Sequence, residues 1–314
     1  MPPRALFAFL LLSLAWGSSY LGTNIAVREL GPFSMVLWRL GLGVAVLCAA
    51  AVVSRPAWPR SWRAYGAVAA YSVIGIALPL WLVSWSLRHT DSSLAAILVT
   101  TAPIFTMLIA HVALGDDRMT LGRVGGVLLG FGGVALLLSR ELAAGVNSTA
   151  LASVTLLAVA LCYASASVFA RRYTGGTPPL VNALVAQGSA ALILAVLTPL
   201  AEGGYTLPQS GQVWLAVLWV GVFSSGVAFV CYYYLLHSIG PTRLQMVNFL
   251  ILVIAMALGV LLNDEPLSWN RMGGSLLILS ALVVANRKSV TSKVAPPPLQ
   301  AAATGPLPSA TQGD

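Results

Sequence analysis

Charge is what this chain has least of. Only 8% of its 314 residues are Asp, Glu, Lys or Arg, against 58% hydrophobic residues. Soluble globular domains carry about 25% charged residues because their surfaces need them, so a water-soluble domain is excluded. Disordered and fibrous classes fall with it. Cysteine is scarce too: Cys48, Cys162 and Cys231 are too few for a disulfide scaffold, and no pair has a zinc or redox spacing. Each lies in an apolar run and reads as a small packing group. Neither metal nor cofactor is expected. Catalytic signatures are missing as well, with no His-Glu-x-x-His and no Gly-x-Ser-x-Gly. Gly130-x-Gly132-x-x-Ala135 imitates a dinucleotide fingerprint, but no strand precedes it. Acid is absent from the middle of the apolar runs: Glu29, Asp91, Asp116, Asp117, Glu141, Glu202, Asp264 and Glu265 all fall at their ends or between them. A proton pump usually carries an intramembrane acid, which leaves uniport, exchange or coupling through His111.

What is present is a series of long apolar runs, at 5–27, 33–53, 64–87, 92–114, 122–139, 150–170, 179–200, 212–236, 242–262 and 270–286. At 1.5 Å per residue such runs cross a hydrocarbon core of about 30 Å as helices. In lipid the backbone must satisfy itself, and runs this long are not barrel strands. The fold class is therefore an all-α polytopic membrane protein with ten transmembrane helices. Pro32, Pro56, Pro59, Pro178, Pro179, Pro208 and Pro241 bracket spans, while Pro79 and Pro103 lie inside them and free carbonyls. With the N-terminus inside, 12 Arg and Lys residues fall on the inner side and 4 on the outer, which puts both termini in the cytoplasm. The net charge of +8 then reflects orientation, not nucleic-acid binding. A signal peptide ending near Gly17 is the other reading of the N-terminus; the run continues unbroken to Val27. Residues 287–314 read as a disordered cytoplasmic tail.

An internal repeat organises the spans. Gly115-Asp116-Asp117-Arg118-Met119-Thr120-Leu121-Gly122-Arg123-Val124-Gly125-Gly126 matches Asn263-Asp264-Glu265-Pro266-Leu267-Ser268-Trp269-Asn270-Arg271-Met272-Gly273-Gly274 at an offset of 148. Two halves of five helices follow, 5–140 and 150–286. Five is odd, so the second half enters from the opposite side, and inverted repeats of this kind place a substrate site near the midplane between halves.

These residues resemble the drug/metabolite transporter superfamily, with two EamA-type domains. The likeness rests on Trp16-Gly17-Ser18-Ser19, Arg39, Leu94-Ala95-Ala96-Ile97 leading to Pro103, and the doubled acidic turns ending in Asp117 and Glu265. It implies a ten-helix permease for small metabolites, often an exporter, in a bacterial inner membrane. The chain has Asn24 where that family often has lysine, and Asp117 where it usually has glutamate.

Arg39 lies about 10 Å past the outer end of its span, so it must face protein or water. It either donates to carbonyls freed by kinked helices or lines a cavity that attracts a carboxylate or phosphate. Gln187 is its approximate repeat mate. Trp16, Tyr20 and Asn24 share one helix face, as do Trp81 and Trp85, and Phe229 and Tyr233 with Tyr232 alongside. Trp16, Trp81, Trp85, Tyr163, Tyr232 and Tyr233 are expected to face one cavity, suited to an amphipathic metabolite. Thr100, Thr101, Gln245 and Asn248 add hydroxyls and amides. Gly122, Gly126 and Gly130 mark close helix packing, within the chain or in a homodimer. The expected partners are a small-molecule substrate and the lipid bilayer, with no nucleic acid. Asp117 and Glu265 are expected to make structural contacts. The enzyme reading rests on His111-x-x-x-x-Asp116, an acyltransferase-like spacing in which the acid orients a histidine base. A nontransporting membrane subunit is the third reading.

Overall fold

A computed structural model describes residues 2–113, 120–143, 145, 147–174, 177–244, 246–266 and 268–286; the side chains at 140–143, 233, 237, 241–243 and 286 lie outside that description. The described residues form helices α1 (Pro3–Ala26), α2 (Pro32–Ser54), α3 (Trp62–Ser86), α4 (Ser92–Ala113), α5 (Leu121–Ala143), α6 (Ser148–Tyr173), α7 (Pro179–Glu202), α8 (Gly211–Leu236), α9 (Val247–Asn263) and α10 (Trp269–Asn286). The first eight are long and apolar enough to cross a membrane, and α9 and α10 are shorter apolar helices. No strand occurs among the described residues. Prolines open α1, α2 and α7, where the missing N–H is harmless and the fixed φ suits a first turn. The proposed tail from 287 onward, like Asp116, Asp117 and Gln245, lies outside the described residues.

Two spans are interrupted, one at Gly240-Pro241 and one just before Pro103, where the sequence expects freed carbonyls. Past Leu236 the helical residues run on to Leu244 across a break at Gly240 (φ 79°, ψ 166°), and the uninterrupted part of α9 is Val247–Asn263. A glycine with positive φ followed by Pro241 ends one helix before the next can start. Helix α4 is interrupted at Thr100 and Thr101, directly before Pro103, whose missing N–H leaves the Val99 carbonyl without its helical partner. Its first part, Ser92–Val99, is buried at every residue and anchors the core.

The packing carries the inverted symmetry. With α1–α5 paired in order to α6–α10, α1 packs on α9 and α8, and α6 packs correspondingly on α4 and α3. Likewise α2 packs on α8 as α7 packs on α3, while the mates α2 and α7, and α5 and α10, pack on each other. In the α5–α10 contact, a Cβ added to Gly126 would lie 2.8 Å from Ala281 O, and one on Gly133 would lie 2.9 Å from Gly274 O. The glycine face of α5 is therefore filled by α10 of the same chain, as small residues do where lipid supplies no hydrophobic drive between helices.

Candidate functional site

The mates α3 and α8 each leave the α register in mid-span, with π-helical segments at Val73–Ala77 and Trp219–Val227. In α3 the cause is Pro79, which has no N–H for the carbonyl of Gly75; the Leu78 N–H reaches back five residues to Val73 O. The α8 segment, WVGVFSSGV, has no proline. Side chains hold its register instead. Trp16 Nε1 donates to Ser224 O at 3.1 Å and Gln187 Nε2 to Ser225 O at 2.9 Å. Ser224 Oγ donates to Ala15 O at 2.5 Å, and Trp219 Nε1 to Ser18 Oγ at 2.8 Å. An unpaired backbone carbonyl in hydrocarbon is strongly unfavourable, so these donors from α1 and α7 make the π turn tenable.

Arg39 meets the same segment from α2, its Nε donating to Ser225 Oγ at 2.9 Å. Gly43, one turn further, makes the approach possible: a Cβ there would lie 2.7 Å from both Gln187 Oε1 and Ser225 Cβ. Among the described residues the Nη groups of Arg39 form neither hydrogen bond nor ion pair. The guanidinium instead lies within electrostatic reach of the Tyr20 and Tyr163 side chains. Tyr71 interacts in the same way with Tyr163 and Tyr232, and the Trp16 ring sits 5.7 Å from that of Tyr232 and 5.8 Å from that of Phe229. Trp16, Tyr20, Arg39, Tyr71, Tyr163 and Tyr232 thus gather from α1, α2, α3, α6 and α8 across the boundary between halves, all of them half-buried. A planar fork with one N–H anchored and the rest unpaired, walled by aromatic rings, can hold a carboxylate bidentately and an apolar group beside it.

The remaining candidates sit elsewhere or are engaged. Trp81 tilts against Phe33 at 5.2 Å and Trp85 against His89 at 4.7 Å. Thr100 and Thr101 are buried, with hydroxyls donated back to Ala96 O and Leu98 O at the break in α4. Asn24 donates to Leu87 O at 2.8 Å and belongs to the turns that follow α1 and α3. Asn248 is half-buried at the start of α9, and the Tyr233 side chain lies outside the described residues. Tyr71 and Ser225 went unread in the sequence. The paired serines in the middle of an apolar run were the available signal for the second.

The turns after α1, α3, α7 and α9 and the start of α6 share one end of the bundle, where bonds join the two halves. Glu202 accepts from Phe33 N at 2.8 Å, Ser34 N at 3.1 Å and Ser34 Oγ at 2.6 Å. Glu265 accepts from Ser92 N at 2.8 Å, Ser92 Oγ at 2.6 Å, Ser93 N at 2.9 Å and Asn263 Nδ2 at 3.1 Å. Glu29 accepts from Gln209 N at 2.9 Å and Ser210 N at 3.1 Å. Arg271 pairs with Asp91, Arg28 donates to Asn263 Oδ1 at 2.6 Å, and Thr149 Oγ1 donates to His89 O at 3.1 Å. Burial pushes the Glu265 carboxyl up, but the hydrogen bonds from Ser92, Ser93 and Asn263 outweigh it and hold the group below its ordinary value. Glu29 is also lowered, by hydrogen bonds from Ser210 and Gln209. A polar cavity of about 560 Å³ opens at this end, beside Arg28, Arg88 and His89.

A family model described as the EamA-like transporter family matches residues 3–139 and 150–287. An uncharacterized transporter of Archaeoglobus fulgidus is 22% identical over 87% of this chain and 95% of its own length. A probable terminal-alkyne amino-acid exporter of Streptantibioticus cattleyicolor is 24% identical over 91% and 95%. The uncharacterized inner membrane transporter YedA of Escherichia coli K12 is 25% identical over 86% of each. A solved crystal structure superposes with a TM-score of 0.65 at 20% identity, covering 91% of this chain and 98% of that one, a likeness of fold.

Proposed function

The chain belongs to the EamA-like transporter family, a family of membrane transporters and not of enzymes, and on that premise we propose that it exports a small amphipathic metabolite. The substrate class is an amino acid or a related carboxylate, moved by alternating access between the two halves. The carrying observation is the Arg39 fork: its Nε is fixed on Ser225 while its Nη groups are unpaired among the described residues, facing Tyr20 and Tyr163. Arg39 takes the carboxylate, and the rings of Trp16, Tyr20, Tyr71, Tyr163 and Tyr232 take the apolar part and, by cation–π contact, an ammonium group. The charge bias supports an orientation with both termini in the cytoplasm and the turn-linked end facing outward. Export is favoured by the amino-acid exporter among its relatives.

The test is purified protein in proteoliposomes, assayed in both directions with radiolabelled amino acids of aromatic, aliphatic and polar side chains. Arg39→Gln should reduce transport by about tenfold or more, as loss of a charged hydrogen bond predicts, with melting temperature nearly unchanged. Arg39→Lys should retain part of the rate, since it keeps the charge without the fork. Full transport by a well-folded Arg39→Gln would remove Arg39 from the substrate site.

A further inference from the structure

Three helix N-termini here bond to a carboxylate from the other half of the molecule. The N-cap positions of α2 and α4, Gly31 and Asp91, make no side-chain capping bond. The first N–H groups of these helices bond instead to Glu202 and Glu265, both from the other half of the molecule. At α8, Ser210 caps locally, but the N–H groups of Gln209 and Ser210 still bond to Glu29, again across the halves. A carboxylate at a helix N-terminus satisfies orphan donors and meets the positive end of the dipole. Supplying it from the opposing half makes the helix end a fastener between two bodies. All three fasteners lie at the same end of the bundle, together with the Arg271–Asp91 pair and the Arg28–Asn263 bond.

The backbone is shaped for these contacts. Gly31 and Gly259 leave no room for a Cβ beside the carboxyl groups of Glu202 and Glu265 respectively. Asp264 takes a left-handed conformation (φ 50°), which turns the chain so that Glu265 N donates to Gly259 O at 3.1 Å and its carboxylate reaches α4. Glu265 is only 4% exposed. Carboxylates outside the hydrocarbon are easily rehydrated, unlike packed apolar contacts, so such bonds can be exchanged for water without lasting penalty.

We propose that Glu202 and Glu265 are gating residues for transport: their cross-half caps hold the turn-linked end shut, and both must leave those caps each time that end opens. This rests on the alternating-access reading above. Glu29, exposed and bound to two N–H groups, is an outer latch of the same kind. Since the caps are made in the structure described, it represents the state closed at that end.

A readout that needs no substrate tests the gate. Ser86, the last residue of α3, is fully buried at this end, and its hydroxyl has no partner among the described residues. In a chain with Cys48, Cys162 and Cys231 replaced by alanine, Ser86→Cys should react slowly with a membrane-impermeant maleimide. Adding Glu202→Gln and Glu265→Gln should raise that rate about tenfold, the shift that weakening of a charged hydrogen bond gives, at temperatures well below melting. Unchanged labelling in a folded double variant would overturn the proposal and leave the caps as static braces. The second arm joins Arg28→Cys to Asn263→Cys with a reducible bis-methanethiosulfonate cross-linker. Transport should fall at least about tenfold and return on reduction; undiminished transport with the link in place would show that this end never opens. If no solute is transported at all, the export reading fails while the labelling arm still decides the gate.

Discussion

At the turn-linked end, Glu265 has both oxygens filled by four donors, and Glu202 by three. About a third of the way along α2, Arg39 uses one N–H on Ser225 and keeps its Nη groups unpaired among the described residues. The first arrangement is complete without any ligand and the second is not. A charge in low dielectric that the protein leaves partly unsatisfied is held in readiness for something else, whereas a satisfied one serves to hold parts together. The difference separates a fastening region from the proposed binding region on hydrogen bonding alone, and it can be broken from either side.

The largest effect on stability belongs to the fastener. Glu265→Ala leaves the N–H groups of Ser92 and Ser93 and the Ser92 hydroxyl without their acceptor where the carboxylate was 4% exposed. Unsatisfied buried donors bring this to about 3 kcal/mol, read as a lower melting temperature in detergent. Glu29→Ala, at a fully exposed carboxylate, should leave melting unchanged. Equal effects from the two would remove the distinction between a buried cap and a surface latch.

Next comes Gly43→Ala, which tests the centre by volume alone. The new methyl would lie 2.7 Å from Gln187 Oε1 and from Ser225 Cβ, and overpacking of this sort is unfavourable by about 1–3 kcal/mol. Because Gln187 and Ser225 hold the π turn and the Arg39 anchor, transport should fall further than the stability loss explains. The check is the transport rate beside the melting temperature; a variant with normal transport and lowered melting would make this contact mere packing.

A smaller, pH-dependent effect follows from Glu265. Its carboxyl is held below the ordinary value of 4.5 in the folded protein, so the unfolded chain binds that proton first as pH falls. Its contribution is thus complete above the unfolded value and lost as pH drops through the lowered folded value. Melting temperature should stay level toward pH 5 and decline below it. Glu265→Gln should show less of that decline, and an identical profile would remove Glu265 as its source.

How far the sequence carried the reading depends on the kind of interaction. Span positions and the doubled pattern were legible because apolar runs and a 148-residue repeat are local or periodic. Arg39 was legible because an arginine inside a span stands out in composition. The caps were legible only in part: a structural contact was expected of Glu265 and is made to Ser92 and Ser93, but Glu202 lies at the end of α7 and meets Phe33 and Ser34 across the fold, a pairing that no spacing encodes. Trp81 and Trp85 show the opposite fault. Their four-residue spacing was real, yet it set a face directed at Phe33 and His89 near the end of α3, since helical spacing fixes a stripe without fixing what the stripe meets. The π turn in α8 was hidden for the same reason as the caps, because its carbonyls are held by Trp16 and Gln187 on other helices.

The smallest expected effect sharpens the comparison most. Ser225→Ala removes the one anchor on Arg39 Nε but keeps the Ser225 carbonyl that accepts from Gln187. Hydrogen bonds between side chains inside membranes are worth about 0.6 kcal/mol on average, because the unbonded group finds another partner. Folding should therefore be nearly unaffected. The guanidinium would lose its fixed direction, so the substrate half-saturation concentration should rise about threefold while the maximal rate changes little. Labelling of Ser86→Cys at the turn-linked end should stay as it was, because no cap is touched. A rise in that labelling would mean that the arginine centre and the carboxylate caps form one mechanical unit, and the separation of binding from fastening would have to be abandoned.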